Sequence, residues 1–286
     1  MHPVHAIYVK TGHRESSAAA MNDFLNGFTF AGLTDIGLHR TNNQDSYHIS
    51  PQGDLFVVAD GMGGHIGGQE ASRLSTAAIQ DYVSLHRSSN ISSPVLLQQA
   101  ITTANSAVLA DQRQHPERAD MGTTVVVVIL RNQQLWYAHV GDSRLYLLRE
   151  GNLVQITKDH TWVAQALLSG ELNKEEISTH PWRHVLSQCI GREDLVSVET
   201  QQLDTKPGDR LLLCSDGLTE ELSDDAIAAC LHPVSTCEAA ARDLVAAAKA
   251  QGGRDNITVI VIAASVSTAS VSPSALASAL PTADLP

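Results

Sequence analysis

Apolar segments crowd together between residues 124 and 156. Thr124–Leu130 is an almost unbroken run of Val and Ile. Leu135–Val140 follows after only Arg131-Asn132-Gln133-Gln134. Arg144–Leu148 and Leu153–Ile156 come next, split by Arg149-Glu150-Gly151-Asn152. Links this short close antiparallel hairpins and cannot hold a crossover helix. Antiparallel strands apolar at successive positions need cover on both faces. Two sheets packed together with helices outside supply that cover. The expected fold class is therefore α+β: a central sandwich of two antiparallel β-sheets flanked by helices on both outer faces, in α-β-β-α layers. A doubly wound parallel sheet is the competitor, and the hairpin links count against it.

Further strands are expected at Leu55–Ala59, Arg210–Cys214 and Ile257–Ala263, the second preceded by the turn Lys206-Pro207-Gly208-Asp209. Helical spacing recurs in 94–111 through Leu97, Ala100, Ile101, Ala104, Ala107 and Val108. It recurs in 69–84 through Leu74, Ala78 and Tyr82, and in 238–250 through Ala240, Ala241, Leu244 and Ala248. A shorter helix is expected near 224–231, with Ser223 as its N-cap. No period marks residues 1–26, and the chain from 265 to 286 is mostly Ala, Ser and Pro. The expectation is one domain over 27–264, between a poorly ordered arm and a disordered tail.

Composition narrows the function. Hydrophobic residues make up 43% of the 286, enough to bury a core. The formal charge of −12 argues against nucleic-acid phosphates and anionic membrane surfaces as partners. The longest apolar run, Thr124–Leu130, is far too short to span a bilayer, and no signal segment opens the chain. None of Cys189, Cys214, Cys230 and Cys237 forms a C-x-x-C pair, so reduced thiols in a cytoplasmic protein are expected.

The apolar strands share one further property. They end in, or lie beside, an Asp next to Gly or Asn: Asp60-Gly61, Gly141-Asp142, Asp216-Gly217, Asp255-Asn256, with Asn43-Gln44-Asp45 in a polar stretch after Gly37. One such Asp is an ordinary turn residue. The repetition points to a shared purpose. Converging carboxylates repel each other, and divalent cations relieve that penalty. An all-oxygen donor set favours Mg2+ or Mn2+ over Zn2+. A dinuclear site of this kind suits hydrolysis of a phosphate ester, with a metal-bound water becoming a hydroxide nucleophile. The run from Asp60 to Gly68 resembles a nucleotide-binding turn, yet it fits neither G-x-G-x-x-G nor a P-loop. Its glycines are expected to let a backbone carbonyl approach a cation. No G-x-S-x-G occurs, so serine-hydrolase chemistry finds no support.

At these residues the sequence resembles the bacterial PPM family, the metal-dependent type 2C serine/threonine protein phosphatases. The blocks run in family order from about Phe28 to Ala263: Thr34-Asp35-Ile36-Gly37 with Arg40 and Asn43-Gln44-Asp45; Val58 to His65; Met121-Gly122-Thr123-Thr124; His139 to Arg144; Thr157-Lys158-Asp159-His160; Leu213 to Leu218; and Gly253 to Thr258. The resemblance implies hydrolysis of phosphoserine and phosphothreonine, reversing a bacterial serine/threonine kinase, by a cytoplasmic monomer. It implies two Mn2+ or Mg2+ ions and a third, weaker site. Asp60 would bridge the two metals, with the Gly61 carbonyl on one and Asp216 and Asp255 on the other. Asp45 would support the metal waters, and Asp142 with Asp216 would make the third site. Arg40 matches the arginine that clamps the phosphate.

Two positions depart from eukaryotic members: Gln44 replaces a Glu ligand, and Met62 replaces a His proposed as general acid. The acid is then His65 or a metal-bound water. Residues of about 160–190 would form the family's flap, where His160 and His184 are candidate substrate contacts. His180 and His184 are spaced like helical zinc ligands, but Pro181 opposes a helix there. His139 is expected to be a satisfied sheet residue. The alternatives are a small-metabolite phosphoesterase and a catalytically inactive phosphoprotein-binding module. The second is disfavoured because Asp60, Asp216 and Asp255 are all present.

Overall fold

The computed structural model describes residues 8–9, 27–64, 66–173, 176, 180–195, 198–232 and 235–265. Most of the arm expected over 1–26, all but the first residue of the tail expected over 265–286, and His65 lie outside the described residues. In chain order the strands are β1 (Tyr8–Val9), β2 (Phe28–Asp35), β3 (Asp45–Ile49), β4 (Leu55–Met62), β5 (Gly122–Thr123), β6 (Val125–Arg131), β7 (Gln134–Val140), β8 (Arg144–Arg149), β9 (Asn152–Gln155), β10 (Thr200–Leu203), β11 (Arg210–Cys214) and β12 (Ile257–Ala264). The helices are α1 (Gly67–Leu85), α2 (Ser93–Gln114), α3 (Trp162–Ser169), α4 (Asp216–Thr219), α5 (Asp224–Cys230) and α6 (Cys237–Gln251).

The unbroken apolar strands have the physical reason expected of them. In β6, Val125, Val127 and Ile129 face α1 and α2, while Val126, Val128 and Leu130 face the opposite sheet. In β12, Ile257, Val259 and Val261 face α6, while Ile260 and Ile262 face the opposite sheet. Each such side chain, fully buried, contributes about 1.5–3 kcal/mol. One sheet runs β1-β2-β12-β11-β8-β9 and the other β10-β7-β6-β4-β3, with β5 beside β4. The described strand pairs are all antiparallel.

The helices carry local signals as well. Ser223 caps α5 by accepting from the Ala226 amide at 3.3 Å, as expected. Thr236 caps α6 from the same position, accepting from Ala239 at 3.1 Å. The buried stripe of α1 differs from expectation. Ala71, Ser72, Ser75, Thr76, Ile79 and Val83 face inward, and Leu74, Ala78 and Tyr82 are only partly buried at its flank. Small residues face the sheet because α1 lies so close to β4 at its start. β1, β2, β3, β5, β10, α3 and α4 are additional to the expected elements, and β4 continues past Ala59 to Met62, so Asp60 lies within it. His180 to His184 form turns, not a helix.

Candidate active site

The acidic residues gather where the ends of the two sheets meet. Asp45 opens β3 and lies opposite Asp60 of β4 in register. The Asp60 backbone is pinned by two threonines: its amide donates to Thr124 Oγ1 at 3.0 Å, and its carbonyl accepts from Thr123 Oγ1 at 2.7 Å. From the other sheet, Asp216 begins α4 directly after β11, and Asp255 precedes β12. Asp142 occupies the turn from β7 to β8, where the chain crosses between sheets. Ser215 joins the two sheets at this end. Its hydroxyl donates to Asp45 Oδ2 at 2.8 Å and accepts from the Thr258 amide at 3.0 Å.

Glycine permits two of these approaches. A Cβ on Gly61 would lie 1.9 Å from the Gly68 carbonyl oxygen, so the first turn of α1 can rest on β4 only if residue 61 has no side chain. A Cβ on Gly217 would lie 2.0 Å from the Asn256 carbonyl oxygen. The glycine-rich run thus has a packing role beyond the carbonyl access expected of it.

Burial and mutual repulsion hold the carboxyls far from their ordinary range. Asp45 is 7% exposed, and its carboxyl is pushed up to about 7, chiefly by burial and further by Asp216 and Asp255. Asp142 is pushed up to about 8 by burial, Asp216 and Asp159. Asp60 is raised well above the usual value by burial, Asp45 and Asp216, and Asp216 is raised by burial. Asp45 Oδ1 and Asp216 Oδ1 are buried without a hydrogen-bond partner. Cationic relief is slight. Arg40 Nη2 donates to Asp255 Oδ2 at 2.6 Å, and nearby Arg144 is committed to Asp159 through a fork. Buried carboxylates with idle oxygens form a donor set that fits divalent cations.

A cleft of about 790 Å3 opens over this cluster, and Arg40, Asp60, Gly61, Asp142, His184, Asp216 and Asp255 all line it. Asp45 is buried and does not line the cleft, lying across from Asp60 in register. His184 Nδ1 lies 2.6 Å from Glu220 Oε1, in ion-pair contact. Burial and Arg183 lower the His184 value, while burial, Asp216 and Asp255 push Glu220 up to about 7. One ligating atom each from His184, Asp216 and Glu220 fall within 4.8 Å of one another. His160 sits away from this cleft. Its ring stacks on His139 at 4.4 Å, and its Nδ1 accepts from the Gly141 amide at 3.2 Å, bracing the Asp142 turn. His139 is a satisfied sheet residue, 2.7 Å from the Lys158 carbonyl.

Several residues of the site were not singled out by sequence reasoning. Asn256, 3% exposed, uses its whole amide to fasten the loop that carries Arg40. It donates to the carbonyls of Ile36 and Asn42 at 3.0 Å each and accepts from the Gln44 amide at 2.7 Å. Its signal was an amide between Asp255 and an apolar strand. Glu220 and Arg254 also line the cleft, and nothing in their spacing distinguishes them from surface charges.

A two-sheet sandwich with a cation-fitting acidic cleft at the sheet junction has the architecture of the metal-dependent phosphatases. The chain belongs to the protein phosphatase 2C family, whose model matches residues 39–251. It is 37% identical over 232 residues to the serine/threonine protein phosphatase PstP of Mycobacterium tuberculosis, covering 81% of this chain and 44% of that one. It therefore spans less than half the length of that relative. It is 35% identical over 236 residues to the serine/threonine phosphatase stp of Listeria monocytogenes, covering 80% of this chain and 93% of that one. Among solved structures, the PstP catalytic domain in complex with 2 manganese ions matches with a TM-score of 0.74 and 34% identity, covering 84% of this chain and 99% of that one.

Proposed function

We propose that this chain is a serine/threonine protein phosphatase, with residues 27–264 as its catalytic domain. It hydrolyses phosphoserine and phosphothreonine in proteins and so opposes a serine/threonine kinase. The observation that carries this reading is the set of buried carboxylates with unpartnered oxygens, beside an arginine, in an open cleft. Asp60, the Gly61 carbonyl, Asp216 and Asp255 would hold two divalent cations, Mn2+ or Mg2+, with Asp45 backing them. Asp142 with Asp216 would hold a third, more weakly. When bound, the cations supply the charge that acidifies water and offsets the phosphoryl oxygens.

This chain's own groups do the rest. Arg40 exchanges its bond to Asp255 for a fork onto two phosphoryl oxygens. Asn256 keeps the Arg40 loop in place for that contact. His65 is our assigned donor of the proton to the leaving serine or threonine oxygen. The chain acts as a monomer in the cytoplasm, away from nucleic acid and membranes. The formal charge of −12 and four unpaired cysteines support that setting. Among the described residues no helix is long and apolar enough to cross a membrane.

The test is phosphate release from a phosphothreonine peptide with Mn2+, with Mg2+ and with EDTA, for the wild type and Asp60→Asn. Release that needs metal and is lost in the variant is the expected result. Equal turnover in Asp60→Asn would refute the mechanism. Metal-dependent turnover of sugar phosphates or nucleotides in preference to peptides would move the substrate to small metabolites.

A further inference from the structure

Arg254 stands next to Asp255 in the chain and lines the catalytic cleft together with Asp142, Asp216 and Glu220. A guanidinium in that place would ordinarily pair with carboxylates that have so little other cationic relief. This one is spent elsewhere. Its Nε donates to Glu221 Oε1 at 2.9 Å and its Nη2 to Glu221 Oε2 at 3.2 Å, and the Arg254 backbone amide donates to Oε1 at 3.0 Å. Glu221 lies just past the end of α4, the helix that Asp216 begins. Its side chain is 2% exposed, while that of Arg254 is 63% exposed. A Cβ on Gly252 would lie 2.9 Å from Glu221 Oε2, so the carboxylate rests against the loop itself. The bonds from Arg254 hold the Glu221 carboxyl below its ordinary value, which keeps it charged. The loop has other anchors that need no arginine side chain: the Gly253 carbonyl accepts from the Leu38 amide at 2.7 Å, and the Gly253 amide donates to the Ala248 carbonyl at 3.1 Å.

Burying a carboxylate is costly, and a pair with so exposed a partner returns little stability. What the pair does secure is the place of a guanidinium beside the cation ligands. We propose that Glu221 is a positioning residue that holds the Arg254 guanidinium off Asp216 and Asp255, so that these carboxylates stay open to divalent cations. This rests on the cation-site reading above and adds a residue, outside the ligand set, that tunes how tightly the cations bind. An Arg254 released from Glu221 would compete with a cation for the same oxygens. Asp216 Oδ1, buried without a hydrogen-bond partner, is an acceptor open to it. Apparent affinity falls with the fraction of molecules whose site is open, so each molecule in which the arginine has closed on the carboxylates weakens cation binding.

The experiment titrates Mn2+ into the metal-stripped full chain and follows the electron paramagnetic resonance signal of free Mn2+. Wild type, Glu221→Gln, Arg254→Ala and the double variant are compared, each shown to be folded by its melt in EDTA. Glu221→Gln keeps an acceptor for the Arg254 amide and removes the charge that holds the guanidinium. It should raise the Mn2+ dissociation constant about 10-fold, the scale on which groups behind metal ligands act. Arg254→Ala tests the same idea with Glu221 in place, and should bind Mn2+ as tightly as the wild type or more tightly. The double variant should return to the level of Arg254→Ala. A merely structural defect in Glu221→Gln would persist in the double variant, so the rescue separates positioning from stability. Wild-type affinity in Glu221→Gln would overturn the inference. So would an equal loss in Glu221→Gln and the double variant. A loss in Arg254→Ala would overturn it as well, since that arginine would then be needed and not restrained. A wild type that binds no Mn2+ would overturn the cation-site reading, and the inference with it.

Discussion

Replacing Asp45 with Asn should stabilise the metal-free protein and weaken its response to Mn2+. Asp45 is 7% exposed, and its carboxyl rises from 3.8 to about 7, with burial the largest cause. A raised folded-state value means that the folded protein holds this proton more tightly than the unfolded chain. Its stabilising contribution is complete below about pH 4 and lost as the pH rises through about 7. A rise of about three units corresponds to about 4 kcal/mol, which relaxation and water entry reduce to about 2 kcal/mol. Asn carries no charge to desolvate, and its Oδ1 can still accept from Ser215, which now donates to Asp45 Oδ2 at 2.8 Å. At pH 8 in EDTA the variant should melt about 4–8 °C above the wild type, at about 2–4 °C per kcal/mol for a domain of this size. At pH 5 the gap should shrink to less than half, and it should close below about pH 4. Added Mn2+ should raise the wild-type melting temperature more than that of the variant, because a ligand stabilises in proportion to how tightly the folded state binds it. Thermal melts at the two pH values, each in EDTA and in Mn2+, make the test. A variant less stable than the wild type in EDTA at pH 8, or a difference independent of pH, would refute the reasoning.

Other perturbations read other parts of the site. Arg40→Lys keeps a charge but loses the fork, so kcat/KM on a phosphopeptide should fall about 10- to 100-fold; steady-state kinetics report it. Asn256→Ala strands two carbonyls and the Gln44 amide, and should cost about 1–3 kcal/mol, measured as a lower urea midpoint. Gly61→Ala would set a Cβ 1.9 Å from the Gly68 carbonyl oxygen, so α1 must lift from β4. Its cost should exceed that of an ordinary core overpacking, about 1–3 kcal/mol, and circular dichroism melts should show it.

The strands most legible in the sequence are those whose two faces are both apolar. β6, β11 and β12 lie between a helix layer and the opposite sheet, so their runs stand out in any window. β3 is an edge strand that reads Asp45-Ser46-Tyr47-His48-Ile49, with nothing to separate it from a loop. β2 is interrupted by Gly32, which is there because a Cβ would meet the Tyr47 ring at 2.7 Å. α3 was hidden by lacking a polar face, the property that makes a helical period visible. In the site, the aspartates were legible because one pattern recurs at several strand ends. Asn256 and Ser215 were not, because they act on partners 212 and 170 residues away in sequence.

The manner in which the carboxylates are held follows from the task proposed for them. Lys and Arg at each aspartate would lower the repulsion, but they would also fill the positions that cations need. The groups in contact with the cluster are largely uncharged hydroxyls. Ser215 holds Asp45, the Thr123 and Thr124 hydroxyls hold the backbone of Asp60, and Thr124 shares a 2.7 Å bond with Ser143 beside Asp142. The other ion pairs engage carboxylates outside the cluster: Arg144 with Asp159, Arg254 with Glu221, and Lys249 with Asp35. Arg40 is the exception, bound to Asp255 by a half-exposed side chain that can leave without disturbing the core. A neutral frame fixes the position of the charges and leaves their compensation to groups that come and go. That frame makes the metal-free fold less stable than it could be, which is why removing one carboxylate should raise the melting temperature as it removes function.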